Sequence, residues 1–247
     1  MNPHRKIIPI YEDSLSSHGY VELLDHLGDD GLTCVNAARV SFNKKSETFE
    51  QKDSKLLNYL IKEKHTSVLE HNVLTFSFKV PLFVARQHMR HRTWSFNEIS
   101  RRYTNVDIDF YCPAQFRAQA KSNRQASIEV LGFNPVIDEI DGTNQTWTKQ
   151  AAKAVEEHAQ ESLKLFNSML EAGVAREQAR MILPQNLYTQ YWGTVNLNNF
   201  FKFLSLRDHE GSQFEIQMMA QACKQLVQTI WPNLIQIYEK NKGKTHA

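Results

Sequence analysis

Arg86-Gln87-His88-Met89-Arg90-His91-Arg92-Thr93-Trp94-Ser95-Phe96-Asn97-Glu98-Ile99-Ser100-Arg101-Arg102-Tyr103 follows an alternating apolar run and a proline. The segment gathers Arg86, Arg90, Arg92, Arg101 and Arg102 with His88 and His91. Charge that dense is solvated or paired with an anion, because burying it unpaired is too costly. A solvated helix end is the plain reading, since a helix C-terminus favours cations. Two features move the balance. The cations are arginines, which suit bidentate recognition of phosphate or carboxylate. Ser95, Asn97, Glu98, Ser100 and Tyr103 interleave with them, and such a mixture of donors and acceptors describes a polar ligand site. Ser95-x-x-Glu98 alone also has the spacing of a helix capping box.

Upstream, Asn72 to Val80 alternates. Leu74, Phe76, Phe78 and Val80 share one face and Val73, Thr75, Ser77 and Lys79 the other, which predicts a half-buried strand. Pro81 stops it and suits the first turn of a helix predicted from Leu82 to His91. On that helix Arg86 and Arg90 are i,i+4, and Gln87 is i,i+3 to Arg90 and i,i+4 to His91. An amide, an imidazole and guanidinium groups would emerge together at its end. Further upstream, Leu56, Leu57, Leu60 and Ile61 recur at helical spacing, which predicts a helix over 50–64 with Thr48 and Gln51 as a capping box. Residues 5–40 hold short apolar runs, 7–10 and 32–40, around a turn at 28–31.

Downstream, 106–111 reads as a short strand and 114–146 as a polar, insertion-like stretch with a turn at Asp141-Gly142. A long amphipathic helix is predicted over 146–170, stopped by Gly173. A short helix over 176–183 ends at Pro184. Residues 187–195, rich in Tyr, Trp and Thr, read as a strand. Helices over 198–206 and 212–238 flank the polar turn Asp208-His209-Glu210-Gly211. The expectation is an α+β fold: one helix-rich domain over 1–247 around a small mixed or antiparallel sheet.

Composition bounds the function. The net charge of +2 provides no global field for nucleic acid or membrane, so any preference for anions is local. Cys34, Cys112 and Cys223 are odd in number and far apart, which excludes a disulfide framework and zinc-ribbon spacing, leaves no metal site in expectation, and suits a reducing cytoplasm. The N-terminal residues lack the apolar core of a signal peptide, and no apolar run approaches the ~20 residues of a membrane span.

With these segments in view, the chain resembles the flavin-dependent thymidylate synthases. Arg90-His91-Arg92, seven residues, then Ser100 is similar to that family's signature, within the fuller match Arg86-Gln87-x-x-Arg90-His91-Arg92-x-x-Ser95-x-Asn97-Glu98-x-Ser100-x-Arg102-Tyr103. Four further blocks agree in order: Ala37-Ala38-Arg39-Val40-Ser41; His65-Thr66-Ser67 with Glu70-His71; Ala179-Arg180 with Leu183-Pro184-x-Asn186-Leu187-Tyr188; and Thr194-Val195-Asn196 followed by Leu206-Arg207. The resemblance runs from about Thr33 to Tyr238 and leaves 114–146 without a role.

The resemblance implies the thymidylate synthase-complementing protein fold and conversion of dUMP to dTMP. Methylenetetrahydrofolate would supply the carbon and FAD the electrons, with NADPH reducing the FAD and no cysteine acting as nucleophile. It implies that Gln87, Arg90, Ser100, Arg102, Arg180 and Arg207 hold dUMP, with Glu98, Ile99 and Arg101 contributing from the same loop. Arg207 would be the catalytic residue, facing the uracil and favouring its N3-deprotonated form, as a permanent cation does. Ser67, Arg90, His91, Arg92, Glu98, Asn196 and Asn198 would contact FAD, and His65 would lie near flavin and folate. The family is homotetrameric with shared active sites, which would explain a basic segment not neutralised within its own chain.

One position departs from the family pattern. Lys202 stands where family members carry an asparagine near FAD; it would meet a flavin or phosphate oxygen as a cation, or leave the site. For Arg180 and Arg207 the plain alternative is a surface ion pair with Glu177 or Asp208. A basic nucleic-acid-binding module is opposed by the low net charge. A nucleotide-binding regulator with the same fold and no turnover is the third reading.

Overall fold

The alternation of residues 72–80 becomes the centre of a sheet. In the computed structural model, which describes residues 6–11, 19–121, 126–140 and 146–242, strands β1 (Lys6–Ile10) and β2 (Gly19–Leu27) precede helices α1 (Leu32–Arg39) and α2 (Gln51–Lys62). A 3-10 turn over Thr66–His71 leads into β3 (Val73–Pro81), α3 (Leu82–His88) and β4 (Ser95–Glu98). Two ribbons follow, β5 (Ala118–Gln119) with β6 (Ser127–Ile128), and β7 (Val136–Ile140) with β8 (Thr146–Gln150). Then come α4 (Ala151–Glu171), α5 (Arg176–Ala179), β9 (Tyr188–Asn196), α6 (Leu197–Arg207), α7 (Phe214–Ile230) and α8 (Pro232–Asn241).

The main sheet runs in the order β1-β2-β3-β9-β4, and every pairing is antiparallel. Leu74, Phe76, Phe78 and Val80 are all completely buried, so the predicted face is the core face. Phe78 pairs with Val21 on one side and Tyr191 on the other, and its ring stacks on Tyr191 at 5.0 Å. Phe200, Phe203 and Leu204 of α6 and Ile216, Met219 and Cys223 of α7 complete this core. A second apolar cluster joins Phe166 of α4 to Phe110, Cys112 and Leu187.

Several expected boundaries move, each for a physical reason. The capping box of α2 is made by Glu50 and Asp53, one residue pair beyond Thr48 and Gln51. The helix after Pro81 stops at His88, three residues early. Ser95-x-x-Glu98 is a strand paired to β9, since Phe96 goes into the core and the backbone takes sheet partners. Residues 106–111 form no strand; only Phe110 bridges, to Leu187. Residues 146–150 form β8 against β7, so the long helix begins at Ala151. That helix ends as expected: Gly173 takes φ 86, which a residue with a Cβ resists, and Val174 N–H reaches the Met169 carbonyl. The stretch 212–238 divides into α7 and α8 at Trp231-Pro232, because proline has no N–H for the preceding turn and suits a first helical position. The insertion-like region carries the two ribbons; Asp141-Gly142 lies outside the described residues.

Candidate active site

The arginine segment is a tight turn held between two buried rings. After α3 the His91 N–H bonds to the His88 carbonyl (2.9 Å) and the Trp94 N–H to the His91 carbonyl (3.1 Å). His88 and Trp94 are buried, whereas Arg90 and Arg92 are exposed. Burial of the rings thus throws the guanidinium groups outward.

Arg207 reaches this turn from the end of α6. Its Nε donates to His91 Nε2 at 3.1 Å and its Nη2 to the Gln87 carbonyl at 3.4 Å. The Gln87 side-chain amide bonds to Gln213. Burial lowers the Arg207 pKa from its ordinary value, and burial together with the Arg207 charge lowers that of His91 to about 4. The alternative, an ion pair with Asp208, does not form. Asp208 is buried and takes Lys224 (2.6 Å), Lys242 (2.9 Å) and Gln221 (3.3 Å) instead. The hydrogen bonds of the Arg207 guanidinium thus go to neutral groups, His91 and the Gln87 carbonyl.

A cleft of about 290 Å³ opens beside the end of β4, lined by Glu98, Ile99, Ser100, Arg101, Arg180 and Thr189 among others. The Ile99 N–H bonds to the Gln190 carbonyl, so the chain leaves the sheet at the cleft wall. Glu98 Oε1 accepts from Thr189 Oγ1 at 2.6 Å. The Arg101 side chain is committed inward, donating to the Val106 and Asp107 carbonyls at 2.6 and 3.0 Å, and holds the loop closed. Arg102 lies 3.8 Å from the Glu177 carboxylate, while Arg180 meets Glu177 only at its backbone carbonyl (3.4 Å). Thr189 was not anticipated; only pairing of β4 with β9 brings it to Glu98.

A third group lies along α6. An apolar cleft of about 300 Å³ is lined by Leu69, Phe201, Leu206 and Tyr238, with Thr66, Asn198, Ser205, Lys64 and Lys202 as its polar members and no carboxylate. Asn198 is buried and donates to Glu70 at 3.3 Å. Ser67 is exposed next to Thr66, and His65 stacks on Tyr59 at 6.0 Å. The Asn196 side chain caps α6, accepting from the Asn199 N–H at 3.0 Å. Lys202 thus remains at a cleft rather than leaving it. An apolar floor with two cations suits a flat aromatic group that carries negative charge.

The three cysteines stand apart from these groups. All are buried, and burial pushes the Cys34 thiol up to about 12 and the Cys223 thiol upward as well. Among the described residues, no three His, Cys, Asp or Glu side chains gather to hold a metal ion, and no helix is long and apolar enough to cross a membrane.

Comparison with known proteins shows the family and the fold. Residues 22–233 match the family described as thymidylate synthase complementing protein. A flavin-dependent thymidylate synthase of Thermus thermophilus is 43% identical over 209 residues, spanning 85% of this chain and 71% of the relative. One from Borreliella burgdorferi is 34% identical over 245 residues, spanning 94% and 85%. Among solved structures, a UMP/dUMP methylase PolB from Streptomyces cacaoi bound with 5-Br dUMP superposes with a TM-score of 0.78 at 30% identity, covering 94% of this chain and 98% of that one.

Proposed function

The chain belongs to the flavin-dependent thymidylate synthase family, and from that premise we propose that it methylates dUMP at the uracil C5 to give dTMP. Methylenetetrahydrofolate is the proposed one-carbon donor, and NADPH the reductant of FAD. The observation that carries the proposal is the Arg207 guanidinium, bonded to His91 and the Gln87 carbonyl and bypassed by Asp208. A cation so placed is available to a developing anion on a substrate ring.

Roles follow from the three groups. Arg207 faces the uracil and favours its N3-deprotonated form, which makes C5 the better nucleophile. Ser100 and Arg180 at the 290 Å³ cleft hold the nucleotide, with Arg102 from the same loop, backbone from Glu98, Ile99 and Arg101, and with Gln87 and Arg90. Ser67, Asn196 and Asn198 hold FAD with Arg90, His91, Arg92 and Glu98, and His65 borders flavin and folate. The cleft beside Asn198 fits an aromatic ring, and Lys202 meets its negative charge. FAD, when bound, supplies the electrons that reduce the transferred carbon. The chain itself binds, orients and stabilises charge.

By its family, the chain is a homotetramer whose sites combine residues of neighbouring subunits. Burial of all three thiols favours a route without a cysteine nucleophile, and free buried cysteines suit the cytoplasm. The test is an anaerobic assay with dUMP, methylenetetrahydrofolate, FAD and NADPH, with UMP as the alternative substrate. Formation of dTMP is expected; its absence from folded, FAD-loaded protein overturns the proposal.

A further inference from the structure

The turn that presents Arg90, His91 and Arg92 is closed at its base by His88 and Trp94. Both are buried, and their ring centroids lie 4.4 Å apart at 77°. Each ring has one nitrogen with no hydrogen-bond partner among the described residues: His88 Nε2 and Trp94 Nε1. Phe78, Phe96, Tyr191 and Phe203 surround the imidazole. An unpaired polar atom in such a place costs free energy.

The two orphans are complementary. His88 Nδ1 lies 2.9 Å from the Tyr191 hydroxyl oxygen, and that hydroxyl is directed at Met219 Sδ at 3.9 Å. In the tautomer in which Tyr191 donates to Met219 and His88 donates from Nδ1, the neutral His88 ring has Nε2 as an acceptor. Burial first, then repulsion from a protonated His91 and from Arg207, lowers the pKa of the His88 imidazole well below its ordinary value. The Trp94 indole nitrogen can only donate. Gly193 lets the indole lie against β9: a Cβ added there would meet Trp94 Cε3 at 3.1 Å.

We infer that His88 is a positioning residue whose Nε2 accepts from the Trp94 indole N–H through one enclosed water, and so clamps the base of the turn over 89–93. Phe203 packs on both His88 (4.9 Å) and His91 (5.2 Å), so the clamp also sets the turn against the helix that carries Arg207. No nucleotide or flavin contact is assigned to His88. The inference rests on the proposed reaction only where dUMP kinetics are read.

Glutamine places its amide near an imidazole Nε2 and asparagine near Nδ1, so His88→Gln keeps the acceptor toward Trp94, whereas His88→Asn and His88→Phe lose it. The indole N–H resonance of Trp94, assigned by its loss in Trp94→Phe, reports the bond in each variant. In His88→Gln it should stay near its wild-type position, and KM for dUMP should stay within a few-fold. In His88→Asn and His88→Phe it should move upfield, with KM raised roughly tenfold, about one hydrogen bond's worth, and kcat changed less. Equal behaviour of Gln and Phe, or an unmoved resonance in Phe, overturns the inference. On wild-type protein, the ¹⁵N shift of His88 Nε2 should be that of an unprotonated acceptor. A protonated Nε2 overturns the clamp whether or not any variant folds and whether or not dTMP is formed.

Discussion

Arg207 Nε donates to His91 Nε2 across 3.1 Å, joining positions 116 residues apart in the chain. A guanidinium has no acceptor, so the imidazole must be the acceptor and must carry no proton on Nε2. The pair is stable at neutral pH because burial first, and the Arg207 charge second, hold His91 uncharged down to about pH 4. One cation is thereby fixed by a group that does not cancel it.

Arg207→Ala should fold and bind FAD, since the side chain ends α6 without filling the core. Turnover to dTMP should fall by about 10²–10³, the usual cost of removing one group that stabilises developing charge. Flavin absorbance and single-turnover dTMP formation measure the two halves. Near wild-type turnover would remove Arg207 from the chemistry.

His91 predicts a pH dependence of stability. Between about pH 6.5, the value for a free histidine, and the folded value of about 4, the unfolded chain binds a proton at His91 that the folded chain does not. Stability therefore falls as pH is lowered through that window. Denaturant titrations from pH 7 to 4 should show a shallower fall in His91→Gln. Part of the slope should persist, because buried His88 is lowered in the same direction.

Asp208 predicts an effect at lower pH. Burial works to raise its carboxyl pKa, and the bonds from Lys224 and Lys242 outweigh burial, leaving it below the usual carboxylate range. The stability it contributes is present above the unfolded value of about 3.9 and is lost as pH falls through the folded one. Asp208→Asn should cost about 1–3 kcal/mol at pH 7, and the gap to wild type should close below about pH 4. A gap of constant size would mean that the carboxylate charge is not what these lysines require.

Site sharing between subunits can be tested by mixing. Arg90→Ala and Arg180→Ala should each be inactive as a single species. Co-assembled tetramers should recover part of the activity if one subunit supplies Arg90 and its neighbour Arg180. Native mass spectrometry establishes the mixing, and mixed tetramers without recovered activity would place both residues in the same subunit's site.

Cys112→Ala should keep its turnover, with a modest loss of stability from the space left in the cluster around Phe166. The same holds for Cys34 and Cys223. Loss of dTMP formation in a variant with an unchanged melting profile would restore a thiol to the mechanism.

Local patterns in the sequence determined much of this protein. Alternation over 72–80 specified the central strand and its buried face, because a side-chain period of two admits one core-facing set. Gly173 specified the end of the long helix. Other features depended on partners distant in sequence. Ser95–Glu98 has a helix-cap spacing, yet β9 takes its backbone into the sheet. Residues 146–150 continue a helical pattern, yet β7 pairs with them. Asp208 is the sequence neighbour of Arg207, yet Lys224 and Lys242 reach it first and leave the guanidinium to His91. Propensity and periodicity act over a few residues, whereas these outcomes depend on which groups tertiary packing brings within hydrogen-bond distance.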